Sequence, residues 1–123
     1  LAAELGVQDK VDFEGFKKNI IPYYLEAKIT LLTSLYEGFP NVLVESIALG
    51  TPIVAFDCQS GPKEIVLDSI NGHLALYKNV DSLSEKLKIA IDTKWDTAVI
   101  TESAKRFSML NIIKAYEDKI ERL

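Results

Sequence analysis

Two carboxylates, Glu37 and Glu45, are separated by seven residues in the block Glu37-Gly38-Phe39-Pro40-Asn41-Val42-Leu43-Val44-Glu45, with a helix start between them. Carboxylate oxygens accept hydrogen bonds from hydroxyl groups. The first amides of a helix offer unpaired donors and a partial positive charge, which favour an anion such as a phosphate. Together they can grip a ligand that is both polyhydroxy and anionic, and a nucleotide sugar presents both chemistries.

Positioning these groups requires a strand before Glu37 and a helix under Glu45. Residues 29–32 (Ile-Thr-Leu-Leu) read as the strand. Asn41 can cap a helix running to Leu49, where Gly50 supplies a left-handed closing residue and Pro52 prevents continuation. Glu45 then lies one turn inside, roughly 6 Å along the axis, so the two acids can face one ligand from different heights.

The rest of the chain alternates short apolar runs with helical stretches, the pattern of a parallel sheet covered by helices. Val11, Asp12 and Phe13 alternate like a strand. Residues 20–27, opened by Asn19 and Pro22, form a short helix expected to bury Ile20, Ile21, Tyr24 and Ala27. Residues 52–56 (Pro-Ile-Val-Ala-Phe) are continuously apolar, as suits a strand buried on both faces and ended by Asp57. A turn at Ser60-Gly61-Pro62 leads to a helix over 63–67, and Asn71-Gly72 marks another turn before a strand over 74–76. Leu83, Leu87, Ala90 and Ile91 share one face of the next helix. Met109, Ile113, Tyr116, Ile120 and Leu123 form an apolar stripe on the last. Four strands with intervening helices make most of a doubly wound α/β fold, whose ligands bind beyond the carboxyl ends of the strands.

Length and composition narrow the choices. A chain of 123 residues, 48% hydrophobic, builds one core and hence one domain over residues 1–123. Residues 1–6 read as the last turn of a helix, and the first residue is Leu, so the chain is expected to be the rear part of a longer polypeptide. A net charge of −4 with interspersed Lys and Glu argues against nucleic acid as a partner. Cys58 is alone, which excludes an internal disulfide and favours a reducing compartment. No apolar run is long enough to span a membrane.

Phe13-Glu-Gly15, Tyr24, Ala27, Ser34, Glu37-Gly-Phe-Pro40, Glu45, Gly50-Thr-Pro-Ile-Val-Ala55, Gly61, Glu64-Ile-Val66 and Asn71-Gly72 together resemble the donor half of the retaining glycosyltransferases of family 4. The resemblance covers nearly the whole chain. It implies a GT-B fold, with these residues as its Rossmann-like C-terminal half lacking that half's first strand. It implies transfer of a glycosyl group from a nucleotide-diphosphate sugar to an acceptor with retention at the anomeric carbon, without a metal or other cofactor.

Carried onto this chain, the resemblance gives Glu37 the catalytic place beside the donor sugar and Glu45 the ribose hydroxyls. The backbone of Gly38, Phe39, Pro40, Asn41 and Val42 would hold sugar and diphosphate, and residues 16–20, beginning with Phe16 and Lys17, would border the base. In such enzymes a basic pair that clamps the phosphates lies upstream, and the acceptor, a sugar or lipid, is held by an N-terminal domain. The 123 residues alone are therefore expected to bind donor weakly and not to catalyse. The parent enzyme is expected to be cytoplasmic, peripheral to the cytoplasmic membrane, and to serve cell-surface polysaccharide synthesis. The stripe on the last helix could also pair two fragments as a dimer.

Plainer readings stand beside these. Glu37 and Glu45 can be solvated acids, and Phe39 and Val42 can pack against the sheet. Tyr24 can fill the core, Trp95 can cap a loop between helices, and His73 can be structural at a strand start. Glu64 suits the first turn of a helix, and Lys63 can reach a phosphate. An aspartate ending a buried strand, Asp57, also suits the phosphoacceptor of a flavodoxin-like receiver, in which the Glu37 block has no role. A non-catalytic interaction module is the third reading.

Overall fold

A computed structural model describes residues 1–122. Three parallel strands, β1 (Thr30–Leu32), β2 (Ile53–Phe56) and β3 (Gly72–Ala75), lie in chain order in one sheet. Ile53 is opposite Thr30 on one side and Gly72 on the other. The crossovers are α2 (Asn41–Ala48) between β1 and β2 and α3 (Pro62–Ile65) between β2 and β3. The helix α1 (Ile21–Glu26) precedes the sheet, and α4 (Val80–Asp92), α5 (Thr97–Ala104) and α6 (Met109–Glu121) follow it.

The four residues of β2 are all buried, as a central parallel strand requires. Ile53 and Ala55 project to one face and join Leu43 and Ile47 of α2, Ile65, Val66, Ile100 and Ala104 in the main core. Val54 and Phe56 project to the other face and are buried as well. The helix α2 ends as expected at Gly50, whose φ is +82°. The Gly50 amide bonds to the Ile47 carbonyl at 3.0 Å and the Thr51 amide to that of Ser46 at 3.0 Å, the paired closure typical of a left-handed C-terminal residue.

Several expectations need correction. Residues 11–13 form no strand: Val11 and Phe13 are exposed and find no neighbouring strand among the described residues. Alternation favours a strand only where a partner ladder takes up its amides and carbonyls. Among the described residues the sheet therefore has three strands rather than four. Of the residues expected to be buried at α1, Ile20, just before the helix, and Ile21 are exposed, Ala27 just after it is partly buried, and Tyr24 alone is buried. The turn near Asn71 ends one residue early, since Gly72 opens β3, where the absent side chain leaves room for the Ile53 carbonyl. In α4, Ala90 is buried while Ile91 is half exposed.

α5 was not foreseen. Its start is nonetheless written in Asp96, whose Oδ1 accepts from the amides of Ala98 at 2.9 Å and Val99 at 3.3 Å. Trp95 stands in a loop between helices, as expected, although the helix that follows is α5, and its indole donates to the Ala90 carbonyl at 2.8 Å. α6 buries no residue, so Met109, Ile113, Tyr116 and Ile120 face solvent; Leu123 lies outside the described residues. No helix among the described residues is long and apolar enough to cross a membrane.

Candidate functional site

The loops leaving the carboxyl ends of β1 and β2 are fastened to each other. Ser60 and Gly61 both have positive φ, 64° and 87°, which turns the β2 loop back toward the β1 loop. The Ser60 hydroxyl donates to the Glu37 carbonyl at 2.7 Å. A β-carbon on Gly61 would lie 2.6 Å from Pro40 Cδ and 3.0 Å from the Gly38 oxygen, so glycine is demanded there by the neighbouring loop as well as by φ.

Gly38 is different. A β-carbon there would meet nothing within 4 Å, and its φ is not in the left-handed region. Internal packing therefore leaves the position open, and the space in front of its backbone is accessible.

Pro40 is buried and stands at the N-cap of α2 with no side-chain cap bond. Asn41 is thus the first helical residue and not the cap, a correction whose cause is the Pro40 carbonyl, which accepts from the Leu43 amide at 3.0 Å and closes the first turn on its own. No side chain caps the amides of Asn41 and Val42, so the helix end keeps its donor character. Phe39 and Val42 are both partly exposed. The Phe39 ring meets Phe107, in the turn before α6, edge-on at 5.6 Å.

Glu45 points from α2 into a pocket of about 430 Å³ bordered also by Lys18, Asn19, Ile20, Ile21, Tyr24, Ala48 and Leu49. Its Oε2 accepts from the Tyr24 hydroxyl at 3.0 Å. Burial, and then the bond to Glu45 and its charge, pushes the Tyr24 phenol up to about 12. Glu37 does not line this pocket: it is half-buried on the β1 loop beside Ser60 and Gly61. Among the described residues, neither acid is in an ion pair.

Of the residues expected to border the base, Lys18, Asn19 and Ile20 reach the pocket. Phe16 and Lys17 do not line it. Phe16 is 94% exposed, and Lys17 is drawn to Glu14 at 3.1 Å, where the local i,i+3 pairing competes for it. Sequence reasoning placed Tyr24 in the core and missed its bond to Glu45, a contact between residues 21 apart that no local pattern announces.

Lys63 is exposed, with its ammonium 3.9 Å from Asp57 Oδ2. Glu64 lies in the first turn of α3 as expected. His73 is buried in β3, with Nδ1 2.8 Å from Asp68 Oδ1 and its ring 5.5 Å from that of Trp95.

The chain is similar to known proteins in sequence and in fold. Residues 1–108 match the family described as "Glycosyl transferases group 1". The N-acetylgalactosamine-N,N'-diacetylbacillosaminyl-diphospho-undecaprenol 4-alpha-N-acetylgalactosaminyltransferase of Campylobacter jejuni is 31% identical, over 100% of this chain and 34% of its own length. Among solved structures, the lipopolysaccharide outer core galactosyltransferase WaaB in its apo form superposes with a TM-score of 0.89 at 27% identity, over 99% of this chain and 36% of that one. HepE of Anabaena, in complex with UDP, gives 0.82 at 26% identity, over 99% of this chain and 35% of that one. The chain thus spans about a third of the length of these relatives. The match displaces the receiver reading of Asp57. The chain belongs to the glycosyl transferases group 1 family and has the Rossmann-like fold of the C-terminal domain of its GT-B members.

Proposed function

We propose that these residues are the donor-binding part of a retaining glycosyltransferase of family 4, which moves a sugar from a nucleotide-diphosphate sugar to an acceptor without a metal. One arrangement carries the reading: α2 starts without a side-chain cap directly after an open glycine backbone, with Glu37 before it and Glu45 one turn within it. In this reading the diphosphate meets the amides of Asn41 and Val42, where a helix end favours negative charge. The donor sugar lies over Gly38 beside Glu37. The ribose hydroxyls reach Glu45, and the base enters the pocket bordered by Lys18, Asn19 and Ile20. Charge that gathers on the departing diphosphate is stabilised by protein donors already aimed at it.

The UDP bound in the HepE structure supports a nucleotide donor. The lipopolysaccharide and diphospho-undecaprenol in the names of two relatives support an acceptor destined for a cell-surface polysaccharide, with the parent enzyme at the cytoplasmic face of the membrane. Acceptor choice belongs in this reading to a further domain of the parent.

The test is a panel of nucleotide sugars offered to the parent polypeptide and to its Glu37→Gln and Glu45→Gln variants. Glu37→Gln should remove transfer while the free nucleoside diphosphate still binds. Glu45→Gln should weaken that binding. The anomeric configuration of the product, followed by NMR from the first turnover, decides retention. Full transfer by both variants would overturn the proposal.

A further inference from the structure

Tyr24 is the one buried residue of α1, and both its ends are tied down. Its carbonyl accepts from the Thr51 hydroxyl at 2.6 Å, just beyond the close of α2. The Ser46 hydroxyl stands 2.9 Å from the Thr51 carbonyl and 2.8 Å from Thr30 Oγ1, which ties the same corner to β1. The Tyr24 phenol then crosses to Glu45 Oε2 at 3.0 Å. The anchor is rigid, whereas Glu45 is an exposed side chain that would otherwise sample several rotamers.

We infer that Tyr24 is a positioning residue: by holding Oε2 of Glu45 it fixes the carboxylate at the mouth of the pocket and leaves Oε1 to recognise the ribose 2′- and 3′-hydroxyls of a nucleoside diphosphate. This rests on the proposed role of Glu45. A carboxylate ordered in advance binds a vicinal diol without the cost of ordering it during association, an advantage of roughly three- to tenfold in affinity. The advantage is specific to the diol. A ligand lacking one hydroxyl cannot use both lone pairs of the Oε1 that Tyr24 leaves open, and gains less from its orientation. The phenol remains protonated, and so remains a donor, until the pH approaches about 12.

The experiment measures calorimetric binding of UDP, GDP and ADP and of their 2′-deoxy counterparts to the parent polypeptide. The ribose-to-deoxyribose ratio is read on whichever base binds tightest. Tyr24→Phe should lower that ratio by roughly threefold or more, and the loss should appear in the donor KM rather than in kcat. Glu45→Asp keeps Tyr24 in its core position but withdraws the carboxylate, so it should lower the ratio by itself. Adding Tyr24→Phe to Glu45→Asp should then change nothing further, and this cycle stands even where Tyr24→Phe lowers stability. A ratio unchanged by Tyr24→Phe but collapsed by Glu45→Gln would overturn the inference and leave the role of Glu45 intact. A ratio unchanged by Glu45→Gln, or no binding of any of the diphosphates, would overturn both.

Discussion

The Ser60 hydroxyl donates to the Glu37 backbone carbonyl across 2.7 Å, so the loop leaving β2 holds the loop leaving β1. The bond engages the backbone of the first acid and not its carboxylate. It also places the Gly61 backbone against Gly38 and Pro40, where the open face of the site begins.

Gly61→Ala should therefore be costly. A side chain at φ +87° is strained, by about 1 to 3 kcal/mol, and its β-carbon would press on Pro40 Cδ at 2.6 Å. Ser60→Ala removes one hydrogen bond, worth about 0.5 to 1.5 kcal/mol. Urea unfolding should rank Gly61→Ala as the more destabilising. Equal midpoints for the two variants would mean that the loops do not bear on each other.

How far the sequence disclosed this arrangement depends on how local each signal is. β2 was legible because four consecutive apolar residues buried on both faces leave few other choices. The close of α2 was legible because a left-handed glycine and a following proline act within four residues. Residues 11–13 misled, since alternation reports a strand's preference and not the presence of its partner. α5 was hidden by Val99, Ile100 and two threonines, which read against a helix, although Asp96 marked its start. The acids themselves were proposed from their spacing and neighbours. What holds each of them, Ser60 for one and Tyr24 for the other, comes from distant parts of the chain and exists only once the sheet has formed.

The core and the last helix should respond oppositely to truncation. Leu43 is fully buried in the main cluster, so Leu43→Ala should cost about 2 to 5 kcal/mol. Met109 is 76% exposed on α6, and Met109→Ala in the 123-residue chain should stay within about 0.5 kcal/mol. Thermal unfolding of the two variants checks this, and a large loss from Met109→Ala would show that α6 is covered in solution, as a dimer through its apolar stripe would require.

Asp68 gives the acid limb of stability a definite sign. The bond from buried His73, whose Nδ1 lies 2.8 Å away, holds the Asp68 carboxyl below its ordinary value of 3.8. A carboxyl depressed in the folded state binds fewer protons there than in the unfolded chain, so its stabilisation is present above that ordinary value and is lost as the pH falls through the depressed one. Asp68 is largely exposed, which keeps the effect small. Wild type should exceed Asp68→Asn in stability near pH 6, and the gap should close below about pH 4. Urea midpoints measured across this range would contradict the assignment if the gap widened instead.

Tyr24 sets the opposite limb. Its phenol is raised from an ordinary value of 10.0 to about 12, first by burial and then by Glu45. Between those values the unfolded chain releases the Tyr24 proton while the folded chain retains it. The unfolded state is favoured as the pH rises, because the folded state binds more protons. The stabilisation is whole below about pH 10 and is lost toward about 12, a change on the order of 2 kcal/mol. Tyr24→Phe has no proton to lose. It should be less stable than wild type by about 0.5 to 1.5 kcal/mol near pH 8, through the missing bond to Glu45. That deficit should then shrink as the pH climbs past 10, because wild type alone pays the linkage. The chain's other tyrosines are common to both proteins, so the difference between the two urea midpoints isolates Tyr24. A deficit that stays constant from pH 8 to pH 11 would mean that the phenol is not held against Glu45 in solution.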